Sequence, residues 1–424
     1  MPKKIHRRGP SVFHKKQHRV LKAVVWVLVA ALVVSVGYFT AKYMMENFKP
    51  QQDNSSSLSS PSSPSGGETV PSGGAQTTAP DSATTAPENA EVSLDGTVRA
   101  FYLPVERIGD TAALEAALEE AAQAGFNAVL FDLKDENGTL HYRSSTALAQ
   151  QAQTTAEDAY TLAELQDALG VMKEHGFAAI PRLFAFKDPE APFYLASAKI
   201  TLESLPGMTW LDNKKEKGGK PWLNPYAPDA HAYIIGLAEE LAGAGFPAIM
   251  LDGVQFPNQT SSAYYGTSEL TSLSKQEVLA KFVADLTEAV GDGCRVMQTM
   301  PGLSAFGEGT EPFGGNPVTF GAATVSPVLL PSTLGDTLRA GEETLSDPAS
   351  SPYDAVRLAA GQVNLRLELM NRDARPSMMP WLQADGYTAA QIREELRALD
   401  DVLGDGASCI LYSADGEYDF ASLR

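Results

Sequence analysis

Three stretches repeat one local instruction to the backbone: AGFNAV at 124–129, HGFAAI at 175–180 and AGFPAI at 244–249. In each, a Gly ends a helix in the left-handed conformation and the next residue, Phe, packs back on the last helical turn. The residues after the Phe already read as a strand, so the motif is a helix-to-strand junction. Apolar runs of strand character occur at VRAFYL (98–103), AVLFDL (128–133), AAIPRLF (178–184), AIMLD (248–252), RVMQT (295–299), ATVSPVL (323–329), SMMPWL (377–382) and SCILY (408–412). Amphipathic helical patterns fit between most of them, at 111–124, 162–175, 229–244, 275–290 and 389–403. Eight such units in one stretch, 96–424, predict a (β/α)8 TIM barrel, with a doubly wound open α/β sheet as the alternative. The Gly- and Pro-rich segment 301–321 predicts a missing or short fifth helix and a candidate lid.

Charge and cysteine usage narrow the function. Residues 1–45 hold nine Lys/Arg and no acid, leaving 24 basic against 52 acidic groups in the remainder. A domain that acidic repels phosphate backbones, so nucleic acid is not expected as a partner. Only Cys294 and Cys409 occur, each in an apolar run. That excludes a disulfide framework and a cysteine zinc site, and reads as two buried small hydrophobes. Three of the six His (His6, His14, His18) lie in the basic N-terminus, and none has HExxH spacing. Neither GxGxxG nor GxxxxGK(S/T) follows a strand-like run, and GxSxG is absent. No metal and no cofactor are expected.

The N-terminal part speaks about location. After a basic segment, 1–22, nineteen residues (23–41) carry no charge. That length spans a bilayer core of about 30 Å, and its length and flanks fit a retained transmembrane helix better than a cleaved signal peptide. Eight basic residues before it place the N-terminus in the cytoplasm and the remainder outside the cell. Residues 42–95, rich in Ser, Thr, Pro and Gly from Pro50 onward, then form a disordered stalk with a reach of roughly 35–40 Å.

Barrel enzymes carry their chemistry at the C-terminal ends of the strands, and period-two alternation selects the inward side chains. Val129, Phe131 and Leu133 form an all-apolar face, which leaves Asp132 and Lys134 for the barrel interior. The same reasoning turns Arg182 inward with Ile180 and Phe184, and Asp252 inward with Met250. Trp381, Gln383 and Asp385 share one face of the seventh strand. Asp132, Arg182 and Asp252 are therefore expected to cluster on neighbouring strands, with Lys134 above them. Asp188 in KDP serves either a ligand or the start of a turn. Trp210 and Trp222, with Tyr194 and Tyr226, make either a sugar-stacking platform or a small local core, and KKEKGGK (214–220) reads as a solvated loop tip.

LFDLKDENG, RLFAFKDP, PWLNPYAPDA, AGFPAIMLDGVQFP, VSPVLLPS and RPSMMPWLQAD occur in the order found in a bacterial domain family classed with the glycoside hydrolases. That family is a TIM barrel distantly similar to the alpha-amylase type, and the resemblance covers residues 97–424. It implies a barrel that hydrolyses or binds carbohydrate, a polysaccharide or cell-wall glycan. On a carbohydrate-acting barrel the residues at the mouth are expected to divide into catalytic Asp252 and Asp132 and substrate-contacting Lys134, Arg182, Asp188, Gln255, Trp381, Gln383 and Asp385. GFPAIMLDGV resembles the strand-four nucleophile segment of alpha-amylase-type barrels, which points to Asp252 as nucleophile or base. Three positions depart from the pattern: Thr299, Gln255 and Thr333 stand where Asp, Arg and His are usual. The missing strand-five carboxylate leaves Asp132, Asp135, Asp188 and Asp385 as candidate acids. It also opens a second expectation, an inactive barrel that holds glycan without turnover.

Overall fold

A computed structural model describes residues 94–424. The basic segment 1–22, the apolar span 23–41 and all but the last two residues of the 42–95 stalk lie outside the described residues. Among the described residues no helix is long and apolar enough to cross a membrane.

The fold is a closed barrel of eight parallel strands: β1 (Arg99–Tyr102), β2 (Ala128–Lys134), β3 (Ala178–Phe184), β4 (Ala248–Asp252), β5 (Arg295–Pro301), β6 (Thr324–Val328), β7 (Trp381–Gln383) and β8 (Cys409–Tyr412). Closure is direct, since Phe101 of β1 pairs with Val129 of β2 on one side and Leu411 of β8 on the other. Ala100, Ala128, Leu130, Ala178, Ile180, Met250, Met297 and Ile410 fill the axis. Phe101, Val129, Phe131, Ile249, Leu251 and Leu411 face the helices. The expected seventh strand is split: Ser377–Met378 pairs with Thr324–Val325, and β7 begins only after Pro380, which has no N–H to give a ladder.

Six long helices surround the strands: α1 (Thr111–Gln123), α2 (Leu162–Glu174), α3 (Pro228–Gly243), α4 (Lys275–Val290), α5 (Pro352–Glu368) and α6 (Ala389–Leu403). Sequence chemistry sets their ends. Thr161, Ser274 and Thr388 cap α2, α4 and α6 in reciprocal boxes with Glu164, Glu277 and Gln391. At the repeated junctions Gly125, Gly176 and Gly245 have φ of 83°, 76° and 97°. The following Phe126, Phe177 and Phe246 each donate their N–H five residues back, to Ala121, Met172 and Leu241, and are buried. Between β5 and β6 the only helices are Gly302–Ala305 and a 3-10 turn, Pro317–Thr319, so the fifth helix is vestigial. α5 is not among the amphipathic patterns of the sequence; its buried face mixes Ala355, Ala359 and Ala360 with Val356, Leu358, Val363 and Leu367. A small extension of the sheet beyond β2, formed by Leu140–Tyr142 and Thr155–Tyr160, has no counterpart among the eight apolar runs.

The junction geometry predicts opposite outcomes for two glycines of one helix. Gly170, inside α2, and Gly176, just past its end, both have open space where a Cβ would sit. Gly170→Ala should stabilise by about 0.5–1 kcal/mol, and Gly176→Ala, forced to φ 76°, should cost about 1 kcal/mol. Denaturant midpoints of the two variants check the sign.

Candidate active site

The C-terminal mouth of the barrel is organised around Arg182. Its Nε and Nη2 donate to Oδ1 and Oδ2 of Asp132 at 2.5 and 2.8 Å, and Nη1 donates to Oδ2 of Asp252 at 3.3 Å. The register explains the meeting: Asp132 lies directly opposite Arg182, and Phe184 opposite Asp252. Three rings flank the guanidinium, with centroids 4.9 Å (Trp381), 5.0 Å (Phe184) and 5.7 Å (Tyr102) from Cζ. The Tyr102 hydroxyl donates to Asp132 Oδ2 at 3.2 Å, and Tyr412 packs on both Tyr102 and Trp381. Asp132, Arg182, Asp252 and Trp381 thus come together as the alternation requires.

Their electrostatics differ. Side-chain exposure is 13% for Asp132 and Arg182 but 23% for Asp252, which makes Asp252 the most open of the three. Burial pushes the Asp252 carboxyl above the ordinary carboxylate range; Arg182 and the Gly253 N–H, which donates at 2.6 Å, pull against that without cancelling it. Burial also works against the charge on Arg182, but Asp132 and Asp252 outweigh it and hold the guanidinium more firmly protonated than usual. Burial and then Asp132 raise the Tyr102 phenol. Trp381 Nε1 is buried and donates to no described group.

Two expected mouth residues lie elsewhere. A bulge between Asp132 and Lys134 shifts the β2 register, so Lys134 pairs with Leu183 and turns outward into the helix layer. There Lys134 is fully buried, 2.7 Å from Asp188 Oδ2, with Nζ donating to the Phe184 carbonyl and lying over the Tyr233 ring. Asp188 is equally buried and accepts the N–H groups of Glu190 and Ala191. Lys134 and Asp188 are a structural pair behind the strands, and neither reaches the mouth.

The remaining candidates are placed as follows. Gln383 accepts from Ser332 N and donates to the Asp385 carbonyl, and Asp385 accepts from Ser413 Oγ and Ala414 N, so both brace loops at the rim. Gln255 is half-buried on the turn after β4. Asp135 accepts from the N–H groups of Asn137 and Thr139 and meets His141 Nε2 at 3.2 Å. Burial would raise the Asp135 pKa, but His141 and the two amides hold it below the usual range. On β5, Thr299 is buried with Oγ1 donating to the Ser326 carbonyl at 2.9 Å, and no carboxylate replaces it. Trp210 and Trp222 form a local core with Ile200. Cys294 and Cys409 are buried, and burial pushes both thiols up to about 12. Tyr102 and Tyr412 also line the mouth, and the sequence signal for them is that each shares a face with an inward residue two places earlier, Ala100 and Ile410.

Removing one member of the hidden pair should be costly without touching the mouth. Lys134→Met strands Asp188 as a buried unpaired carboxylate and should destabilise by about 3–5 kcal/mol, read as a drop in denaturation midpoint.

No curated protein matches the chain. Among solved structures it resembles a hypothetical protein from Ruminiclostridium thermocellum at 24% identity and TM-score 0.40, covering 46% of this chain and 96% of that one. It also resembles a Flavobacterium johnsoniae chitobiase at 13% identity and TM-score 0.45, covering 77% and 47%. A Thermus thermophilus alpha-galactosidase gives 12% identity and TM-score 0.45, covering 78% and 62%. A family model described as "Putative glycosyl hydrolase domain" matches residues 100–418, about three quarters of the sequence, and the chain belongs to that family.

Proposed function

We propose that this chain is a membrane-anchored, extracellular glycoside hydrolase acting on a cell-wall or extracellular glycan. The observation that carries the catalytic part is Asp252. It is the most open carboxyl of the Arg182 cluster, its burial raises its pKa, and it ends β4 where a sugar entering the mouth meets it. A carboxyl poised this way suits attack or proton transfer at an anomeric centre. Asp132, bound on both oxygens by Arg182, acts as the positioning carboxylate that sets the charge beside Asp252. Arg182, Trp381, Gln255, Gln383 and Asp385 shape the sugar site. The anchoring part rests on the uncharged stretch 23–41 and the basic residues before it.

A second reading, glycan binding without turnover, is favoured by one feature. The β5 position that would supply a second carboxylate is Thr299, whose hydroxyl is already committed. A glycan-array and wall-polymer screen scored for both binding and release of reducing ends separates the two readings.

Asp252→Asn keeps size and removes charge. In a hydrolase, turnover should fall by at least about 10³-fold while ligand binding survives. Stability should move the other way. Because the folded pKa of Asp252 is raised, its stabilising contribution is present below the ordinary carboxylate pKa and lost as pH rises through the folded value. The ionised group therefore costs stability at pH 7, and Asp252→Asn should melt at the same temperature or higher there, with the gain vanishing in acid. Asp132→Asn, which breaks the bidentate pair, should instead lower the melting temperature, by about 3 kcal/mol of stability. A well-folded Asp252→Asn protein with undiminished hydrolysis removes Asp252 from the mechanism.

For the topology, protease added to spheroplasts should release a fragment of approximately residues 95–424. Protection of that fragment while the N-terminus is cut would reverse the orientation.

A further inference from the structure

The connections leaving β3 and β4 build a small projection on the same face as Asp252. Residues Thr201–Leu202, Leu205–Thr209 and Ala263–Tyr264 form a three-stranded antiparallel sheet over the Ile200, Trp210 and Trp222 core. Its surface is unlike the rest of the domain. Seven large hydrophobic side chains are exposed among the described residues, and five of them are in these connections: Leu205, Met208 and Tyr264 on the sheet, and Phe193 and Tyr194 in the segment that leads to it. The 205–209 strand is an edge strand, exposed from Leu205 through Met208.

The same projection concentrates positive charge. Six of the ten lysines in residues 94–424 fall between 187 and 220. Residues 199–220 hold five Lys against three acids, within a domain of 23 basic and 46 acidic groups. The turn carrying Lys214, Lys215 and Lys217 is exposed but held in shape. Asp212 accepts from Lys220 N at 2.7 Å and from Trp222 Nε1 at 3.1 Å, and a Cβ on Gly219 would lie 2.0 Å from the Asn213 carbonyl. Lys187 lies between the projection and the mouth, with Nζ paired to Glu136 Oε2 at 3.0 Å and 5.9 Å from the Phe184 ring that flanks Arg182.

Neither half of this surface explains the other. Lysines on a merely solvated tip need no exposed apolar sheet leading into them, and a patch for neutral sugar has no use for ammonium groups. A polymer with both apolar ring faces and regularly spaced anions matches both, because aromatic faces stack on pyranose rings while ammonium groups pair with carboxylates. A phosphate polymer without sugar rings would leave the aromatics unused. We propose that this projection is a binding surface for a carboxylate-bearing polysaccharide strand, which it delivers to the barrel mouth. The inference rests on the glycan reading above and narrows it to acidic glycans.

The test uses the full chain in neutral detergent and measures equilibrium binding to hyaluronan and polygalacturonate, with dextran and polyphosphate as comparators. One of the acidic polysaccharides should bind at least about tenfold more tightly than either comparator, and added salt should weaken it. Replacing Lys214, Lys215 and Lys217 together by Glu should weaken that binding by about tenfold, and Tyr194→Ala with Tyr264→Ala by about fivefold. Melting temperatures should not move, since these side chains are exposed. Absence of acidic-polysaccharide binding, equal binding of dextran or polyphosphate, or unchanged binding by the variants overturns the proposal. A protein that cleaves neutral glycans and ignores both acidic polymers overturns this inference alone. One that binds them through these residues and cleaves no glycan leaves it standing and overturns the hydrolase reading.

Discussion

A guanidinium held at the mouth of an apolar barrel is the constraint around which the site is built. Left unpaired, such a charge would cost several kcal/mol. Arg182 avoids that cost by spending Nε and Nη2 on Asp132, Nη1 on Asp252 and its faces on three rings. Each partner is then placed in turn. Asp132 has both oxygens engaged, Tyr102 is fixed by its bond to Asp132, and Trp381 reaches over from β7, four strands away, to close the apolar interior. Asp252 is left as the most exposed member, and burial keeps its charge costly.

The bulge on β2 divides the polar residues of that strand between two tasks. Asp132 faces the axis and serves the mouth, whereas Lys134, two residues on, serves the packing of the helix layer through Asp188. The Lys134–Asp188 pair also rigidifies the start of the β3 connection, because Asp188 caps Glu190 and Ala191 and crowds Gly138, where a Cβ would lie 2.4 Å from its Oδ1. A buried pair behind the strands thus supports the base of the projection in front of them.

The connections between strands and helices are uneven. Those after β2, β3, β4 and β6 are long and carry their own short strands, while that after β5 has lost its long helix. At the opposite, N-terminal face, Arg295 at the start of β5 pairs with Asp95 at 2.7 Å and so ties down the segment leading into β1.

Local chemistry determined most of the fold and half of the site. The Gly-Phe junctions, the capping boxes and eight apolar runs are short-range signals, and period-two alternation alone put Asp132, Arg182 and Asp252 on one inner surface. Alternation failed at Lys134 because a bulge is a register event between two strands and leaves no mark in a single strand's pattern. The loop-bracing bonds of Gln383 and Asp385, the committed hydroxyl of Thr299 and the burial of Asp188 depend on groups brought from distant parts of the chain. The sequence by itself therefore determined the barrel and which polar residues its strands carry. Only the tertiary structure decided which of them face one another, because pairing and burial are set by register and packing across elements.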